Sequence, residues 1–287
     1  MTAETEDLDP TASVLAFFGS EVTRLRGSTS QTELASDANT TQPVISRVER
    51  GRRVPSADLA ADLDTALKTD GHFTRLHPLV LRYAYPSWFL PYVELEREAF
   101  QIRTFESQVI PGLLQTEDYA RAILASGRPD CLQDLVAARM SRQAVLEGEE
   151  RPRAWFVVDE QALCRPVGGP EAMRDQLAHL LKAAEEPRTV IQVIPRRVAT
   201  HPGLEGPFTV MDLDKGRSVL YVDGFSKGRL EVDTKELVGA AHAYDLLRAV
   251  ALSPEESSGL ISRYVEEHAN DHRKHAANSM AEEQLQQ

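Results

Sequence analysis

The chain has 287 residues, 42% of them apolar and 26% charged, with a formal net charge of -12 at pH 7. No apolar run approaches the ~20 residues that span a bilayer, which argues against a membrane helix, and the length suits two ordinary domains better than one core. The only two cysteines, Cys131 and Cys164, show no CxxC spacing and no paired His cluster, which points away from a disulfide framework or a zinc site and toward buried thiols in a reducing cytoplasm.

Residues 1–11 carry Glu4, Glu6, Asp7 and Asp9 and no basic residue. That is the reverse of a signal peptide's start, and the segment reads as a disordered tip of a cytoplasmic protein. From Ser13 onward, Val14, Leu15, Phe18, Val22 and Leu25 recur at helical spacing, predicting a first helix that Gly27 ends. Ser30 and Glu33 have the spacing of a capping box for a short helix over residues 31–37. Ala38, Asn39 and Thr40 then form a tight connection in which Asn39 best tolerates a left-handed backbone. Thr41 is placed as the cap of a third helix, with Pro43 in its first turn, where no amide bond is lost. This helix runs to Arg50 and stops at Gly51. A fourth helix follows Ser56 with Leu59, Leu63 and Leu67 on one face and ends at Asp70 and Gly71; a short fifth begins near Phe73. Residues 12–77 thus read as an all-α domain. Residues 78–91, with Pro78, Pro86 and Pro91 among Tyr83, Tyr85, Trp88 and Phe89, read as a packed connector.

Beyond the connector the pattern is mixed. Helical periodicity occupies 92–104, 116–126, 132–148, 170–185, 234–250 and 254–268, and strand-like runs occupy 154–158, 190–194, 208–213 and 219–222. The last two flank Asp214, Lys215 and Gly216, which predicts a hairpin. Gly168, Gly169 and Pro170 read as a helix start, and Ser253, Pro254 and Glu256 start the final helix. The expectation is an α+β domain over 92–268, a small and mainly antiparallel sheet covered by helices, followed by a flexible tail at 269–287.

A helix, a three-residue turn and a second helix, with small Ala35 at their approach, is the geometry that lays one helix in the major groove. Ile45 and Val48 must face the bundle, which leaves Gln42, Pro43, Ser46 and Arg47 outward; Gln and Arg make bidentate contacts with adenine and guanine edges. The acidic net charge opposes a DNA-binding reading, because phosphate affinity comes from Lys and Arg. Read locally, however, Arg47, Arg50, Arg52 and Arg53 fall within seven residues, a small basic footprint on an acidic body.

The stretch SQTELASDANTTQPVISRVERGRRVPS resembles the Cro and phage-repressor class of helix-turn-helix domains, the XRE type. The resemblance implies that Gln31 binds a phosphate from the start of the second helix, that Gln42, Pro43 and Arg47 face bases, and that Arg52 and Arg53 lie beside the backbone. Ser46 joins the base-facing set, and Thr41 and Arg50 the phosphate-facing set. Pro43 departs from the polar residue common at that position and implies an apolar readout, such as a thymine methyl. A homodimer is expected, because a lone helix-turn-helix reads too few bases, with its dimer face in the second domain.

Residues from about 79 to 268 resemble the C-terminal domain of the WhiJ-like family of actinomycete XRE-type regulators, in the segments PSWFLPYVELE, VIPGLLQTEDYARAIL, RQAVLEGEERPRAWFVVDEQALCRPVGGPEAMRDQL, HPGLEGPFTVMDL and ALSPEESSGLI. That resemblance implies a regulator, a repressor of antitoxin-like kind, whose second domain docks a small BldB-like partner protein. No enzyme, cofactor or metal is expected. Glu94, Glu96, Cys164, His179 and His201 form no recognisable catalytic set, Cys164 reads as a buried inert thiol, and the adjacent Asp159 and Glu160 point to opposite sides of a strand. The alternative is a small-molecule sensor whose cavity is lined by Trp88, Tyr92, Trp155 and Tyr221.

Overall fold

The computed structural model describes residues 9–224 and 227–285, with side chains up to residue 270. In chain order its helices and strands are α1 (Val14–Arg26), α2 (Gln31–Asp37), α3 (Gln42–Glu49), α4 (Ala57–Leu67), α5 (His72–Ala84), α6 (Leu90–Glu98), β1 (Ala99–Glu106), α7 (Glu117–Ala125), α8 (Leu132–Arg142), β2 (Arg153–Asp159), α9 (Gln161–Cys164), α10 (Pro170–Ala184), β3 (Thr189–Ile194), β4 (Phe208–Leu213), β5 (Arg217–Val222), β6 (Arg229–Glu231), α11 (Thr234–Val250) and α12 (Pro254–Leu285). They divide into two units, one holding the chain to Leu90 together with Gly127–Arg142, the other holding Pro91–Ser126 and the chain from Gln143. N-terminal helices followed by an α+β region is the architecture the sequence predicts.

In the first unit, Leu15, Phe18 and Val22 of α1 are buried and α1 packs on α3, α4 and α5. Gly19 permits the closest of these approaches, since a methyl group there would lie 2.5 Å from the Val48 carbonyl oxygen. Ser30 accepts from the Glu33 amide while the Glu33 carboxylate accepts from the Ser30 amide, the capping box the sequence predicts, and Asn39 takes the left-handed conformation with φ of 48°. Thr41 is the N-cap of α3, but its side chain makes no capping hydrogen bond, which corrects that expectation. Residues 1–8 of the expected tip lie outside the described residues; residues 9–12 form a turn in which Asp9 accepts from the Thr11 amide and hydroxyl.

Three differences from the sequence reading concern boundaries. Pro78 lies inside α5 rather than in a connector, because Phe73, His77, Val80 and Ala84 bury one continuous face that outweighs a single lost backbone bond. The helix α8, expected within the second domain, belongs to the first unit. There its Asp134 accepts from the Ser13 hydroxyl at the start of α1, Ser141 accepts from the Val54 amide, and the Ala138 carbonyl accepts from the Tyr85 hydroxyl. The final helix continues to Leu285 instead of giving way to a tail at residue 269.

The second unit is built on a six-stranded mixed sheet in the order β3-β2-β1-β4-β5-β6. The β1/β2 and β2/β3 pairs are parallel and the β1/β4, β4/β5 and β5/β6 pairs antiparallel. The expected helix over 92–104 is wrong in its second half: α6 ends at Glu98 and the chain enters β1. Buried Ala99, Ile102 and Phe105 recur every third residue and imitate a helix. A register shift between Ala99 and Gln101 sets the first interval, and the second arises because Ile102 and Phe105 lie on opposite faces of a strand buried on both. The β4/β5 hairpin stands where predicted, while β6 and α9 are short elements with no periodic signal. Tyr244 and Leu247 of α11 bury against Phe105, Val157 and Ile194 of the sheet, and α10 and α12 pack on each other and on β3.

The start of α5 is capped from outside. Gly71 at its N-cap offers no side chain, and the Asp64 carboxylate of α4 accepts instead from the amides of Phe73 and Thr74 and from the hydroxyls of Thr69 and Thr74. Burial pushes this carboxyl upward, but the four hydrogen bonds outweigh it and hold it below the usual carboxylate range. Asp64→Ala is expected to cost about 1 to 2 kcal/mol, since it orphans two first-turn amides. A depressed carboxyl contributes stability above its unfolded pKa and loses it as the pH falls through the folded value. The melting-temperature gap between wild type and Asp64→Asn should therefore be full at neutral pH and close below about pH 4. A gap that persists unchanged in acid would rule out the charged cap.

Candidate nucleic-acid interface

The pairing of α2 with α3 rests on fully buried contacts: Leu34 and Ala35 from one helix, Ile45 and Val48 from the other. With that face of α3 turned inward, Gln42, Pro43 and Arg47 are exposed and Ser46 is half-buried. These are the residues predicted to face outward. Arg47 Nε lies 3.3 Å from the Pro43 carbonyl oxygen, one turn back along the helix. Arg50 folds back as well, donating from Nε to the Ser46 carbonyl at 3.0 Å and from Nη2 to the Ser46 hydroxyl at 2.8 Å. Ser46 and Arg50, assigned from sequence to different contact sets, thus form one local unit. Past α3, Gly51 takes a left-handed φ of 62°, and the Arg52 amide closes the turn on the Arg47 carbonyl at 2.8 Å. Arg52 and Thr41 are exposed, Arg53 and Gln31 half-buried.

A buried polar chain links the two helices, and the sequence reading missed its centre. Glu49 sits on the inner stripe of α3 with Ile45 and Val48, and its side chain is 6% exposed. It accepts from Arg26 Nε at 2.6 Å and Nη2 at 3.3 Å, and from Gln31 Nε2 at 2.5 Å. Arg26 also donates to the Thr29 carbonyl in the loop before α2. Gln31 in turn accepts from Gln42 Nε2 at 2.7 Å. The end of α1, the start of α2 and both ends of α3 are therefore joined through one carboxylate. The signal was available: an acid at the i+4 position from Ile45, inside the apolar stripe, is buried if the stripe is buried, and a buried acid needs a cation.

This arrangement sets the sign of the outer surface. Between Gln42 and Arg53 the only acid is Glu49, and it is turned inward and neutralised by Arg26. What α3 and the following turn present outward is cationic and amide-bearing. Such a surface suits a polyanion with readable edges, despite the acidic body behind it.

In the second unit the chemistry-bearing residues are tied into pairs that hold elements together. Asp159 pairs with His201 at 3.2 Å. Its neighbour Glu160 accepts from the Tyr264 hydroxyl at 2.7 Å and the Arg196 amide at 2.7 Å. The two adjacent carboxylates diverge to different partners. Cys164 is half-buried rather than buried, with Arg196 Nη2 at 2.5 Å and the Tyr264 hydroxyl at 3.2 Å from its sulfur. Burial first, then the bonds to Cys164 and Glu160, push the Tyr264 hydroxyl well above its usual range, so it stays a donor. Burial, reinforced by nearby Lys182, lowers the pKa of His179. Of the aromatics named for a cavity, Tyr92 packs on Tyr221 with ring centres 4.3 Å apart, Trp155 lies under the Arg248 guanidinium at 3.7 Å, and Trp88, in the first unit, packs on Phe89.

Compared with known families, residues 18–76 match a helix-turn-helix domain, and residues 89–263 match the domain of unknown function DUF5753. No curated protein and no solved structure matches the chain. The first match covers α2 and α3 with both Gln31 and Glu49, so the polar chain lies within the helix-turn-helix.

Removing the central carboxylate strands Arg26 inside the unit. Glu49→Ala is expected to destabilise the protein by about 3 kcal/mol, whereas Glu49→Gln, which still accepts from Gln31, should cost less. Denaturant unfolding followed by helical circular dichroism measures both. Equal and negligible losses would mean that the carboxylate does not organise these helices.

Proposed function

Since the chain belongs to the DUF5753 family and carries a helix-turn-helix domain ahead of it, we propose that it is a sequence-specific transcriptional regulator that binds double-stranded DNA through α3, as a homodimer. The observation that carries this reading is the outward face of α3, where Gln42, Pro43 and Arg47 stand exposed while the stretch's sole acid is buried. In this reading Gln42, Pro43, Ser46 and Arg47 meet base edges, and Gln31, Thr41, Arg50, Arg52 and Arg53 lie along the phosphates. Two copies supply two half-sites about one helical turn apart. Among the described residues no helix is long and apolar enough to cross a membrane, in keeping with a cytoplasmic, nucleoid-associated protein.

The second unit is proposed to dock a small BldB-like protein, as the resemblance to WhiJ-like regulators implies, and so to control a repressor of antitoxin-like kind. Asp159 and Glu160, at the end of β2, are tied to His201, the Arg196 amide and Tyr264, which supports a regulatory rather than a catalytic role. A partner releases DNA only if it binds the DNA-free form more tightly, and DNA then weakens the partner by the same factor.

Selection of duplexes from a random-sequence pool with the full chain supplies the cognate site. Against it, Arg47→Ala is expected to lose about 1 to 3 kcal/mol and to relax preference at one base pair; an unchanged specificity profile would remove Arg47 from the reading set. The Arg52→Ala/Arg53→Ala variant is expected to weaken every duplex about equally and, with both copies of the dimer affected, to flatten the log-affinity dependence on salt by roughly three to four units; an unchanged slope would separate these arginines from the backbone. Titrating a purified BldB-like protein into the complex should release the DNA. No binding rejects the docking role, and binding without release rejects its control of DNA; either outcome leaves the DNA-binding reading standing.

A further inference from the structure

The homodimer proposed above needs a face, and α11 has the properties of one. The helix carries apolar side chains on both of its faces, yet only Tyr244 and Leu247 are fully buried, against the sheet. On the opposite side Val238 is 65% and Leu246 43% exposed. Among the described residues of the second unit, the large exposed apolar side chains other than Phe100 lie on α11 (Val238, Leu246, Val250), just before it (Val232), or on the 3-10 turn Pro202–Glu205 that packs against it (Leu204). Gly239, mid-helix, has open space where a side chain would stand. A helix-interior glycine costs about 1 kcal/mol relative to alanine, and no contact among the described residues explains it; close approach of another chain would.

We infer that α11 packs antiparallel against α11 of a second copy, about a two-fold axis passing at His242. At 100° per residue, exposed His242 is the centre of the open face, with Val238 and Leu246 one turn to either side. An antiparallel pair centred there sets each Val238 at the height of the second copy's Leu246, and lays that Leu246 beside each Gly239. Lys235, near the face's centre line, comes within reach of the second copy's Asp245. The stripe is therefore complementary to itself in shape and in charge, as a two-fold interface requires. A partner of different sequence gains nothing from that symmetry.

Sedimentation equilibrium of the full chain tests this. The wild type is expected to be a dimer, and Val238→Glu/Leu246→Glu to raise the dimer dissociation constant about thirtyfold or more, with the circular-dichroism spectrum unchanged because both side chains are exposed within one copy, and with a melting temperature that no longer rises with protein concentration as the wild type's does. Lys235→Glu and Asp245→Lys should each weaken the dimer by roughly threefold, and the two combined should restore it. A wild-type dimer that survives the double glutamate variant overturns this face while leaving the homodimer reading intact; a monomer at every concentration overturns both. A dimer that the glutamates dissolve but the charge swap does not rescue overturns the antiparallel register. Should the glutamates abolish binding of a BldB-like protein and leave the dimer whole, the face belongs to that partner.

Discussion

A carboxylate held charged out of water costs the fold dearly unless a cation and donors for its remaining lone pairs meet it. Glu49 is that group here. Arg26 neutralises it, Gln31 satisfies a second oxygen site, and Gln31 then holds Gln42. Because these residues come from the end of α1, the start of α2 and both ends of α3, one ion pair fixes the angle at which α3 leaves the bundle. It also removes the only acid from the outer surface of the stretch that carries Arg47, Arg50 and Arg52. Structure and surface charge follow from the same interaction. Gly19 completes it, since only a glycine lets α1 lie against the carbonyls of Val48 and Glu49.

The second unit obeys a different constraint. Its central strand β1 is paired on both edges, parallel to β2 and antiparallel to β4, so the sheet's polar side chains must find partners across the strands. Arg103 of β1 reaches Asp212 of β4, Asp212 accepts from Ser218 of β5, and Trp155 of β2 donates to Gln192 of β3. Arg248 of α11 covers the Trp155 ring, and the Tyr244 hydroxyl donates to the Trp155 carbonyl. One face of α11 is thereby locked to the sheet, and its other face, with Val238 and Leu246, is left open.

The sequence displays most clearly those features whose physics is local. Capping boxes at Ser30 and Ser253, the left-handed Asn39, and the β4/β5 hairpin all depend on a few adjacent residues, and all stand in the structure. Features that depend on remote partners were illegible. The bulge at the start of β1, together with burial on both of its faces, imitated a helical period, Pro78 looked like a break because the buried face of α5 could not be weighed against it, and α8 gave no sign that it serves the first unit. Within the interface, the outward residues of α3 follow from Ile45 and Val48 alone, whereas Glu49 was passed over because a glutamate in an exposed-looking helix is ordinarily solvated. Only its position on the apolar stripe marks it.

The most direct test of the role given to Glu49 is a double-mutant cycle on DNA affinity, pairing Glu49→Ala with Gln42→Ala at a temperature well below the melting point of the weakest variant. Glu49 is too buried to meet DNA, so any effect on binding must pass through the residues it holds. The expected result is a coupling of about 1 kcal/mol or more, with the double variant scarcely weaker than Glu49→Ala alone. Strictly additive losses would contradict it, and would show that Gln42 is placed independently of the buried carboxylate.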